Sequence, residues 1–189
     1  MLAFSRLTSI LFFVFSLGLL TYALPAESKA LATRQAANNL VDLVTDLEAR
    51  VKVDVGSIAS VTVIADLAAE IDVLVADVTA CAKAVAAIGA NIDIDASVKA
   101  DLAVKVAAIV TAIVQVCVSI VAKFGVLVVL TLLAKIDICL QLLLVNLGVC
   151  VEGIIKLVAG IVVKLGVSVF AQVHLGLCIN VLGLIGLSL

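Results

Sequence analysis

Few residues in this 189-residue chain can do chemistry. Beyond position 23 there is one histidine, His174, and no tyrosine or tryptophan. A nucleophile–histidine–acid relay needs an acid to orient the imidazole. His174 sits in an apolar run whose nearest acid in sequence is Glu152, so it reads as structural. Asp66, Glu70, Asp72 and Asp77 are spaced as the solvated side of a helix, not as two carboxylates facing each other across a substrate. There is no glycine-rich phosphate loop, no CxxC and no HxxxH pair, and so no nucleotide or metal site is expected. The chain reads as a non-enzyme without cofactors.

The five cysteines, Cys81, Cys117, Cys139, Cys150 and Cys178, are the remaining reactive groups. In a secreted protein an odd count suggests two bridges and one free thiol, or one intermolecular bond. Bridged residues of an antiparallel helical hairpin lie roughly symmetric about its turn. Cys117 and Cys139 are centred near Gly125, and Cys150 and Cys178 near Gly166, which makes Cys117–Cys139 and Cys150–Cys178 the expected pairs. A Cys81–Cys117 bridge would be offset by about 18 Å at helical rise, so Cys81 is expected to stay free. The alternative is five reduced cysteines serving as small core residues.

The elements that would hold these residues follow from apolar spacing. Leu40, Leu43, Val44, Leu47 and Val51 share a helical face, with Gly56-Ser57 expected to end it. Ile64, Leu67, Ile71, Leu74, Val78, Cys81, Val85 and Ile88 then recur at alternating three- and four-residue steps, an amphipathic helix with a heptad-like seam. Gly89–Asp95 breaks it, and Asp95 can cap the next helix. The helices predicted are 40–52, 58–88 and 96–122, followed by apolar helices with breaks near Gly125, Gly148 and Gly166. Val and Ile are frequent enough after residue 102 to permit strands. Helices are favoured, giving an all-α bundle of about five or six helices.

Composition sharpens this. Apolar residues make up 65% of the chain and charged residues 14%, against about 45–50% and 25% in ordinary soluble domains. The mean hydropathy is +1.39. Residues 24–101 carry a net charge of −6, and residues 102–189 a net of +3. A net charge of −2, with no aromatic platforms beyond Phe124 and Phe170 after position 23, argues against nucleic acid as a partner. Met1–Ala23, with Arg6, the apolar stretch Leu7–Leu20 and Ala23 at a cleavage position, reads as a secretory signal peptide. Residues 24–39 form a polar lead-in. The single helical domain is 40–189, with acidic amphipathic helices in 40–101 and apolar helices in 102–189.

A signal peptide, a polar first half and a very apolar second half make a layout that resembles the small secreted wall-associated hydrophobic proteins of mushroom-forming fungi, which substitute for hydrophobin in aerial growth and attachment. It is unlike a hydrophobin, which has eight cysteines including two Cys-Cys doublets. The resemblance implies a structural matrix or surface role and carries over no functional residues.

The expected function is therefore a secreted amphiphile of the cell wall or extracellular matrix. It would self-associate or adsorb to apolar surfaces, wall material or lipid. One alternative is an integral membrane protein with helices in 106–122 and 165–189. Another is a secreted lipid-binding bundle enclosing an acyl chain.

Overall fold

The computed structural model describes residues 31, 33–165 and 167–183. The expected signal peptide and the Gly166 break lie outside the described residues. The chain divides into two compact units, Met1–Ala36 and Ala37–Leu189. Of the first, residues 31 and 33–36 are described, and they are helical. Helix thus already occupies residues 33–39 of the expected polar lead-in.

The second unit is an all-α bundle, with no strand among the described residues. Helix α1 covers 37–60. It is followed by α2 (Ile64–Ile88), α3 (Ala96–Phe124), α4 (Val126–Cys150) and α5 (Ile154–Val162). After a 3-10 turn at Val163–Leu165 come two short helices, α6 (Val167–Gln172) and α7 (Gly176–Leu182). Helix α4 packs against α2, α3, α5 and α7 and is the centre of the bundle. The described part of 165–189 is two short helices joined by a turn, so the helix expected there by the membrane reading is not continuous.

Each boundary has a local cause. Helix α1 runs through Gly56, which is exposed and has open space where a Cβ would stand. Val51 and Ile58 are buried on either side of it, so packing outweighs the roughly 1 kcal/mol helical penalty of glycine. The chain leaves the helix instead at Val61-Thr62-Val63, a β-branched run in which Val63 is extended (φ −115°). The break expected near Gly148 falls just beyond it, at 151–153, while Gly148 itself lies inside α4. A Cβ there would meet Ile155 Cγ1 at 3.0 Å, so its role is close approach of α5. The turn comes at Gly153, which takes the left-handed conformation (φ 78°).

The Gly89–Asp95 and Gly125 breaks lie where expected. Gly125 has φ 83°, and its N–H closes α3 onto the Val121 carbonyl. In the Gly89–Asp95 loop, the Asn91 and Ile92 N–H groups donate to the Val149 and Cys150 carbonyls. They satisfy acceptors that the last turn of α4 leaves open.

Candidate functional site

Helix α4 has two dissimilar long faces. Inward, Val129, Leu133, Ile136, Leu140, Leu143, Leu144 and Leu147 are fully buried. Outward, Leu127, Leu130, Ala134, Ile138, Leu142, Val145 and Val149 are exposed at helical spacing, Leu127 to 86% and Ile138 to 58%. Thr131 is the exposed polar side chain within that row. At its edge Lys135 reaches Asp72 of α2, Nζ to Oδ1 at 2.6 Å. The row from Leu127 to Val149 is about 33 Å long at 1.5 Å per residue.

The other helices do not repeat this pattern. On α2 the exposed side carries Asp66, Asp72 and Lys83 among its residues. On α3 it carries Gln115, Ser119 and Lys123. The acidic helix α2 therefore covers one side of α4 while the outer row stays open.

The cysteines gather differently from the expected bridges. All five are buried free thiols, and neither Cys117–Cys139 nor Cys150–Cys178 is formed. Cys117 on α3, Cys139 on α4 and Cys178 on α7 lie near enough to one another and to Asp137 to interact electrostatically. Cys178 thus joins Cys117 and Cys139 rather than Cys150, which ends α4 beside the Gly89–Asp95 loop. The hairpin symmetry argument misplaced it because α5 and two short helices, not one returning helix, follow α4. Cys81 lies under α1, its Sγ 3.8 Å from the Leu43 carbonyl.

Burial pushes the Cys81 thiol up to about 11, and Cys117 and Cys139 up to about 12. Cys178 is raised further by burial and by Asp137. All are thiols at neutral pH and so poor nucleophiles.

Asp137 organises this region. It is buried, 5% exposed. Its Oδ2 accepts from the Leu177 N–H at 2.8 Å and its Oδ1 from the Cys178 N–H at 2.9 Å. These are open donors in the first turn of α7, which has no side-chain cap of its own. A carboxylate from α4 caps α7 across the bundle. Sequence reading had only a lone acid in an apolar run as a signal for it.

His174 is exposed in the turn between α6 and α7, with φ 57°. Among the described residues no group of His, Cys, Asp or Glu is placed to hold a metal ion. Two clefts line α1, one of about 410 Å³ between α1 and α3 and one of about 210 Å³ between α1 and α2. Both are open and carry charged residues, Asp42, Asp101 and Lys105 in the first and Asp46, Arg50 and Asp77 in the second. Neither is an enclosed acyl-chain cavity.

Helices α3 and α4 are long and apolar enough to cross a membrane. About half of the most apolar stretch of each is buried in the bundle. No protein-family model matches the chain, and no characterised protein matches it.

Proposed function

We propose that this protein is a non-enzymatic, secreted structural amphiphile of the cell wall or extracellular matrix, which adsorbs to apolar surfaces through the outer face of α4. The observation that carries the reading is the exposed apolar row from Leu127 to Val149, which holds one polar side chain, Thr131. At a helix width of about 10 Å the row offers roughly 330 Å². That is less than half the about 800 Å² per partner of a stable protein interface, so the row alone suits adsorption and weak, concentration-dependent association better than a fixed dimer. At about 25 cal/mol per Å² it can contribute up to about 8 kcal/mol. This corresponds to micromolar affinity before ordering costs are subtracted. Secretion rests on the sequence of residues 1–23, and a wall or matrix role on the resemblance in layout.

The test is surface tension measured on the folded protein. Full-length protein is expected to lower it at micromolar concentration. Ile138→Glu/Leu142→Glu, which places two charges in the row, should need at least about tenfold more protein for the same effect, since each charge must be desolvated on adsorption. Equal surface activity in the two proteins would remove α4 from the mechanism. Retention of the mature protein in carbonate-washed membranes would favour the membrane reading instead.

A further inference from the structure

The buried positions of α1 are Leu40, Val44, Leu47, Val51, Asp54 and Ile58. They follow alternating four- and three-residue steps, so Asp54 occupies a seam position where every other residue is aliphatic. It is 8% exposed, and among the described residues its Oδ2 has no hydrogen-bond partner. Ionised, the carboxylate costs free energy at that oxygen, because no donor among the described residues replaces its hydration.

Its charged surroundings add to that cost. Asp77 and Glu70 of α2 act on it unfavourably, and Arg50 of α1 favourably. Arg50, however, is engaged with Asp77, Nη1 to Oδ1 at 3.2 Å. From α3, Lys105 donates to the Thr45 hydroxyl of α1 and Lys123 to the Val61 carbonyl beyond its end, so both ammoniums are engaged away from Asp54.

We propose that Asp54 is a pH-sensitive latch in the α1 seam: protonated, it seats α1 on the bundle, and ionised, it loosens that helix selectively. Protonation neutralises a buried carboxylate that has one unpartnered oxygen and removes its repulsion from Asp77 and Glu70. Desolvation is the largest cause holding the Asp54 carboxyl above its ordinary value, with Asp77 and Glu70 next. The sign follows from this. A folded-state value above the unfolded one gives stability that is fully present below the unfolded value and is lost as pH rises through the folded one. Releasing α1 would bare its own seam side chains and Cys81 beneath it. This device is independent of the α4 face and stands or falls without it.

Hydrogen exchange of the full-length protein, read as protection factors corrected for intrinsic rate, tests the latch at pH 4 and pH 8. Protection over 40–58 is expected to fall by about tenfold more than protection over α3 and α4 as pH rises. Asp54→Asn, similar in shape but uncharged, should lose that selective fall. Glu70→Gln, which keeps Asp54 and removes one repelling charge, should reduce it. An equal change across all helices in the unsubstituted protein, or a selective fall that survives in Asp54→Asn, would overturn the proposal.

Discussion

Helices α2 and α4 have the same length, 25 residues, and lie against each other, yet they are buried for different reasons. On α2 the seam Leu67, Ile71, Leu74, Val78, Cys81 and Val85 is apolar, and charged residues occupy much of the opposite side. Its sequence allows one way to face the bundle. Helix α4 is apolar on both long faces, with a few scattered polar residues, so its own period is too weak to choose a face. Its orientation is chosen by neighbours: by α2, by Asp137 reaching α7, and by Gly148 admitting Ile155. A helix with a period folds into place by itself, and a helix without one is placed by what it must touch.

That contrast breaks most sharply at two leucine sites of α4 that lie two residues apart. Leu140 is fully buried and Leu142 is exposed. Leu140→Ala is expected to cost about 2–5 kcal/mol of stability by urea unfolding, through lost transfer energy and a cavity. Leu142→Ala should stay within about 0.5 kcal/mol. Equal effects would mean that α4 is rotated from the orientation described.

Asp137 tests the neighbour side of the argument. Asp137→Ala leaves the Leu177 and Cys178 N–H groups without their charged acceptor, and the expected loss is about 2–3 kcal/mol. Hydrogen exchange should show the loss first in α7. A uniform loss across the bundle would mean that the carboxylate does not position that helix.

How much was legible in the sequence follows from the same distinction. The all-α bundle, the α2 seam and the breaks at Gly89–Asp95 and Gly125 could be read, because period and turn residues agree there. Asp54 was also within reach. It stands three residues after Val51 and four before Ile58, so the α1 period runs straight through it. The outer face of α4 could not be read, since its few polar residues, with Lys135 exposed and Asp137 buried, do not mark which side is left over. The thiol cluster and the Asp137 cap depend on where α7 returns, and no local pattern encodes that.

The two glycines that lie inside helices give a smaller effect with opposite outcomes. At Gly56 an added Cβ meets open space. Gly56→Ala should therefore stabilise α1 by about 0.5–1 kcal/mol, by reducing the freedom of the unfolded chain. At Gly148 the Cβ would stand 3.0 Å from Ile155 Cγ1, so Gly148→Ala should lack that gain. Thermal unfolding of the two variants separates them, and equal stabilisation would mean that α5 does not pack closely on α4.

The smallest expected effect on stability lies where the two helices meet at the surface. Lys135 on α4 and Asp72 on α2 form an ion pair at 2.6 Å, with side chains 48% and 59% exposed. At that exposure, solvent screening and side-chain ordering offset most of the Coulomb attraction, and such pairs contribute about 0–1 kcal/mol. Asp72→Ala should therefore shift stability by less than about 1 kcal/mol, and less still in high salt. Lys135 nevertheless marks the edge of the apolar row beside the exposed Val128. Lys135→Leu should change stability little yet widen the row and raise adsorption, measured by surface tension. A large stability loss with unchanged adsorption would reverse the assignment, making the ion pair the fastening between α2 and α4 and the row an incidental surface.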